Sequence, residues 1–164
     1  MKRLFLIRHA KSSWEYPDFD DFDRPLNKRG KKDAPAMAGR LSALKIRPEL
    51  IVASPAKRAK KTAMQMAKGT GYNKKDIRYY DGLYMGPLTY HLNLIENQFK
   101  DVDTLFLVGH NYTITELAEY LSGTYLENVP TCGVVAIEYD GKNGFQGKAG
   151  RGKLLFFDFP KNRS

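Results

Sequence analysis

Two rhythms of polarity alternate along the chain. Short unbroken apolar runs at 4–7, 50–53 and 105–108 have the form of strands buried on both faces. Between them, apolar residues recur every three or four positions; Ile114, Leu117, Ala118 and Leu121 draw one stripe along a helix. The pattern and its punctuation predict a strand over 2–7 and a helix from an Asn27 N-cap to about Leu44, with Pro35 as a candidate kink. A second strand over 50–53 leads into a helix to about Lys68, opened by a Ser54 N-cap and a first-turn Pro55. After a loop at 69–75 come a strand over 77–80, a helix from Pro87 to about Phe99, a strand over 104–108 and the helix containing Ile114. Two late strands, 133–139 and 154–159, close the chain.

Strands alternating with helices predict an α/β fold, a three-layer α/β/α sandwich with a mostly parallel sheet. The late pair would add an antiparallel edge. There is no internal repeat or linker, so residues 1–164 are expected to form one domain.

Ligands of such sheets bind beyond the carboxyl ends of the strands. Three of those ends carry "RH" (Arg8, His9), "SPAKRA" (with Arg58) and "GHN" (with His110). If the strands are parallel neighbours, two arginines, two histidines and a helix N-terminus converge on a cationic pocket suited to a phosphoryl group. Arginine's planar fork matches phosphate oxygens in pairs. A histidine with one free ring nitrogen accepts a phosphoryl group. The competing reading is plain: a histidine after a strand is commonly a capping or surface residue, and Arg58 would be one of several exposed cations at 57–61. His91 has no strand-end placement and reads as an ordinary helix residue.

Composition narrows the choices. The chain is 42% hydrophobic, with no run long enough to span a bilayer. Met1-Lys2-Arg3 imitates the start of a signal peptide, but the following apolar run is too short and no cleavage site follows. A cytoplasmic protein without a membrane partner is expected. The single cysteine, Cys132, agrees with a reducing compartment and reads as structural. A net charge of +9 favours acidic or phosphorylated ligands, or nucleic acid. Trp14, Tyr16 and Phe19 interleave with acids rather than bases, which argues against nucleic acid and leaves them as a pocket rim or as packing. The basic, Gly-rich stretch 141–152 is neither a P-loop nor a dinucleotide fingerprint. It reads as a mobile hairpin connection whose lysines and Arg151 would suit an acidic partner.

Four blocks together resemble the histidine phosphatase superfamily, which has the phosphoglycerate mutase-like fold. They are Arg8-His9-Ala10, "RPLNKRG" (24–30), "SPAKRAKKTA" (54–63) and "GHN" (109–111). "RHAKSSW", the Asp-rich loop, "DRPLNKRG" and "PTCG" are similar to the small SixA-type phosphohistidine phosphatases. The resemblance implies that His9 is a nucleophile that becomes phosphorylated. It implies that Arg8, Arg58 and His110 hold the phosphoryl group, with a contact from Ser12. It implies no cofactor and no metal, and the few His and Cys residues show no metal-ligand spacing.

One departure bears on substrate. Mutases and broad acid phosphatases of the superfamily usually carry a Glu or Asp general acid after the third strand. Here "DGLYMG" puts Tyr84-Met85 there, with Asp81 nearby. General acid help to an alcohol leaving group is worth roughly 10²–10⁴-fold. An imidazole leaves from a protonated phosphoramidate as a neutral ring and needs far less. The expected activity is therefore that of a phosphohistidine phosphatase, acting on a phosphorylated protein such as a phosphotransfer domain. A short chain without a cap insertion would leave the pocket open to a protein surface. The alternatives are a phosphomonoesterase of small substrates, with an acid from Asp18, Asp20, Asp21 or Asp23, and a non-catalytic binder. The bland reading of those four aspartates is a solvated or helix-capping loop.

Overall fold

The computed structural model describes residues 1–162. Within them the strands are β1 (Lys2–Arg8), β2 (Leu50–Ala53), β3 (Arg78–Tyr79), β4 (Thr104–Gly109), β5 (Val134–Tyr139) and β6 (Lys153–Asp158). They form one sheet in the order β3-β2-β4-β1-β5-β6. Neighbours from β3 through β1 are parallel. β5 runs antiparallel to both β1 and β6, so β6 points the same way as β1. The mostly parallel sheet is as expected, with the late strands widening it beside β1.

The helices are α1 (Lys28–Ala43), α2 (Lys57–Thr70), α3 (Gly82–Met85), α4 (Leu88–Gln98) and α5 (Thr113–Ser122). Alternate side chains of a strand point to opposite faces, and β1 shows why both faces need cover. Phe5 and Ile7 join Met37, Leu41, Ala63 and Met66 of α1 and α2 on one side. Leu4 and Leu6 join Ile95, Leu117 and Leu121 of α4 and α5 on the other. That is the three-layer sandwich. None of the described helices is long and apolar enough to cross a membrane.

Local chemistry sets the helix ends. The Asn27 side chain accepts from Gly30 N at 2.8 Å and opens α1. Gly71 (φ 76°) ends α2 and Gly123 (φ 69°) ends α5 in the left-handed conformation. Pro35 does not end α1, which runs through it. The residue is exposed, so water can satisfy the carbonyl its ring leaves unpaired.

Three segments differ from expectation. Ser54 is not an N-cap, because α2 begins three residues later, after Ala56. Its hydroxyl accepts from Ala56 N at 3.2 Å and meets His110 instead. "DGLYMG" contains the short helix α3, too brief to leave a periodic signal. The Gly-rich connection is tied down rather than loose. Phe145 packs 4.9 Å from the Tyr139 ring, and Gly150 N and Gly152 N donate to the Tyr120 and Leu121 carbonyls of α5.

Candidate active site

Strand register brings the motif residues together. Arg8 pairs with Gly109 across β1 and β4, so His9 and His110 leave the sheet side by side. Their ring centroids are 5.1 Å apart. β2 flanks β4 on its other side, and Ser54 N donates to Val108 O at 3.0 Å. This sets Ser54 against His110 and the first turn of α2 against His9.

His9 is held as a nucleophile would be. Its Nδ1 lies 2.7 Å from the Ala10 carbonyl, which can only accept, so Nδ1 carries the proton. Nε2 keeps its lone pair, with Arg58 Nε donating toward it at 3.4 Å. Burial pushes the His9 pKa down to about 3, outweighing the Ala10 bond, and the charges of His110, Arg58 and Arg8 push the same way. Burial, with Arg58 beside it, also brings His110 down to about 4. Both rings are neutral near pH 7.

Arg58 sits in the first turn of α2, buried. The Thr62 hydroxyl donates to its carbonyl at 2.8 Å and accepts from Ala10 N at 2.9 Å, bolting α2 to the end of β1. Arg8 reaches the Val129 carbonyl through Nη1 at 3.0 Å. Two buried nitrogens, Arg8 Nε and His110 Nδ1, have no hydrogen-bond partner.

The cleft at these strand ends encloses about 290 Å³ and is lined by Arg8, His9, Ser12, Arg24, Arg58 and His110, among others. All five residues selected from sequence therefore meet there. Ser12 is engaged sideways, its hydroxyl accepting from Arg24 Nη1 at 2.6 Å. Arg24, which opens the "RPLNKRG" block, joins the five without any strand-end signal in the sequence to mark it. Its guanidinium stacks 3.6 Å from the ring centroid of Trp14, which stands exposed at the cleft mouth.

Asp21 is the acidic residue drawn toward this cluster. Its carboxylate accepts from Tyr84 Oη at 2.7 Å, Arg58 Nη2 at 3.0 Å and Arg24 Nε at 3.2 Å. Partial burial pushes its pKa up, but these hydrogen bonds outweigh that and bring it down to about 2. Tyr84 also sets its ring edge against His110, centroids 5.4 Å apart. Asp18, Asp20, Asp23 and Asp81 are exposed and outside the cleft lining. His91 is buried on α4 with Nδ1 on the Pro87 carbonyl and is not part of the cleft lining, although its charge adds to the downward push on His110. Burial raises the Cys132 thiol to about 12, leaving it inert. Among the described residues, no three His, Cys, Asp or Glu side chains are gathered to hold a metal ion.

The family follows from sequence as well as shape. Residues 4–84 match the model of the histidine phosphatase superfamily (branch 1). The SixA structure from Agrobacterium tumefaciens is 30% identical, with a TM-score of 0.81 over 97% of this chain and 98% of that one. The chain belongs to the histidine phosphatase superfamily and is of the SixA type, which makes its activity class that of a phosphatase. Two more distant structures share the fold. A protein histidine phosphatase SixA complexed with tungstate is 19% identical, with a TM-score of 0.82 over 96% of this chain and 97% of that one. A mycobacterial glucosyl-3-phosphoglycerate phosphatase complexed with VO3 is 16% identical, with a TM-score of 0.70 over 97% of this chain and 100% of that one.

Proposed function

We propose that the protein is a phosphohistidine phosphatase that works through a phosphoryl intermediate on His9 and acts on phosphohistidine carried by another protein. One observation carries the choice of substrate: among the described residues, none that lines the cleft is Asp or Glu. Asp21, whose carboxylate bonds to Arg58 and Arg24, is held ionised far below neutral pH. His110, with its lowered pKa, is an equally poor proton donor there. A site without an acid suits a leaving group that departs without a new proton.

In the first step the His9 Nε2 lone pair attacks phosphorus in line with the scissile P–N bond. The P–Nε2 bond forms, and the electron pair of the broken bond returns to the substrate imidazole. That ring already carries a proton on its other nitrogen and leaves neutral. Arg8 and Arg58 balance the charge on the equatorial oxygens. Arg8 Nε and His110 Nδ1 gain from those oxygens the partners they lack, relieving a cost of about 1–3 kcal/mol for each buried group. The oxygen of a water then attacks phosphorus: a P–O bond forms, the P–Nε2 bond breaks with its pair returning to Nε2, and the water's protons leave on the phosphate product. The Nδ1–H bond to Ala10 holds the ring orientation throughout.

An ester phosphatase using an Asp of the 18–23 loop gains no support from an Asp21 this acidic. The test is a direct comparison of a phosphohistidine protein with a small phosphate ester, with rapid quenching to trap the phosphoenzyme. Preference for the P–N substrate and label on His9 are expected. Preference for the ester, or full activity in His9→Ala, would overturn the reading.

A further inference from the structure

Outside the cleft lies a larger depression, about 780 Å³. It shares a wall with the catalytic cleft. That wall is a two-stranded ribbon made by residues 11–13 and 24–27, joined by Ser13 N to Pro25 O at 2.8 Å and Asn27 N to Lys11 O at 3.0 Å. Ser12 and Arg24 face the cleft; Ser13, Pro25 and Leu26 line the outer trough. A second hollow of about 540 Å³ continues it along α2, sharing Pro25, Leu26, Lys31 and Lys57.

The lining is of two kinds. The first is aromatic: Tyr16 and Phe19 stack on each other at 5.2 Å and are 49% and 46% exposed. The second kind is cationic. Lys28, Lys31, Lys57 and Lys61 stand exposed around the trough and make no ion pair among the described residues. Among the described residues, Glu15 is the one acid in the lining of the two hollows. Lys57 adjoins Arg58, so a chain lying in the trough is one residue from the site's own cation.

We infer that this trough docks an acidic segment of the phosphorylated protein substrate, one that sets an apolar or aromatic residue against Tyr16 and Phe19 and carboxylates against the lysines. The inference rests on the phosphohistidine reading above. Charge complementarity of this kind steers encounter and selects partners. A segment held beside the cleft also raises the local concentration of the phosphoryl group it carries. The acid-poor cleft selects the bond, and the trough selects the protein.

Two phosphohistidine peptides test this. One carries a ten-residue flank of Asp and Glu with a single Phe; the other replaces each acid by Gln. Such a flank reaches about 33 Å when extended, enough to cross the shared wall. The wild type should favour the acidic peptide by about tenfold in kcat/KM at low salt, the scale of a few exposed charge pairs. A Lys28→Glu/Lys31→Glu/Lys61→Glu variant should lose that preference and turn over the Gln peptide within about twofold of wild type. The changes at Lys28 and Lys31 put negative charge in the first turn of α1, where the helix dipole favours it, so folding is retained. Equal use of both peptides by wild type, or a preference that survives the triple substitution, overturns the docking role. So does a single-stranded DNA oligomer whose binding depends on these lysines while the peptide preference does not. Wild type inactive on both peptides but active on a small ester overturns the phosphohistidine reading first, and the docking role with it.

Discussion

Asp21 grips Arg58 at two points: its carboxylate accepts from Nη2 at 3.0 Å and its backbone carbonyl accepts from Nη1. Arg58 Nε is thereby aimed at His9 Nε2. The loop carboxylate thus orients the cation over His9 Nε2. Asp21→Asn should lower turnover of phosphoramidate and ester by the same factor, roughly 3–10-fold, for loss of one charged hydrogen bond at a half-exposed side chain. Parallel kinetics on two leaving groups check this. A loss confined to the ester would mark Asp21 as a proton donor instead.

Arg58→Lys tests geometry at nearly constant charge. Lysine cannot reach His9 and Asp21 together from one planar group. A fall of about 10²–10³-fold in kcat is expected, the range for losing one preorganised oxyanion donor. Circular dichroism should stay unchanged, since Thr62 holds the Arg58 backbone through its carbonyl.

Acid should weaken the fold through the two site histidines. Their pKa values, about 3 and about 4, lie below the 6.5 of an unfolded histidine. Unfolding below pH 6.5 therefore takes up protons. This contribution is whole above pH 6.5 and drains as pH falls, to about 4 for His110 and about 3 for His9, at about 1.4 kcal/mol per pH unit for each ring. Urea midpoints at pH 7.5 and 5 measure it, and His9→Asn should remove one ring's share. Equal stability at the two pH values would refute the buried, neutral state of these rings.

Ser54→Ala should strand His110 Nε2, which the Ser54 hydroxyl meets at 2.8 Å in a fully buried position. A loss of about 1–3 kcal/mol is expected in denaturation, with weaker phosphate binding as the ring loses its fixed orientation.

Gly30→Ala and Gly39→Ala make a matched pair within α1. A Cβ at Gly30 would strike the Lys11 carbonyl, in the ribbon that walls the cleft, whereas Gly39 faces open space. Gly30→Ala should cost about 1–3 kcal/mol and lower activity. Gly39→Ala should leave activity intact and add about 0.5–1 kcal/mol. Thermal melts and kcat/KM on both variants check it.

Sequence carried the sheet, the helices and the meeting of Arg8, His9, Arg58 and His110, because strand ends are marked locally by an abrupt change of polarity. What it hid depends on distance along the chain. Asp21 is 37 positions from Arg58, and nothing local separates it from Asp18, Asp20 or Asp23. Arg24 reads as a loop cation until the fold sets it against Ser12 and Trp14. Ser54 looked like a helix cap because Ser-Pro before a helical run is the usual cap signal; its partner, 56 residues away, decided otherwise. The trough is a pure product of packing, formed where the starts of α1 and α2 meet a ribbon that has no strand pattern of its own.

The Thr62 hydroxyl, engaged by Ala10 on one side and Arg58 on the other, separates what is fixed from what can vary. The spacing of His9 and Arg58 belongs to the strand and helix it joins, and it is set before any ligand arrives. The Asp-rich loop adds a grip on Arg58 through Asp21, and the ribbon sets Ser12 and Arg24 in the cleft wall; their exposed outer residues carry none of that burden. New partners could be acquired by rewriting exposed positions such as Tyr16, Phe19, Lys28 and Lys31, with the cleft behind them unchanged.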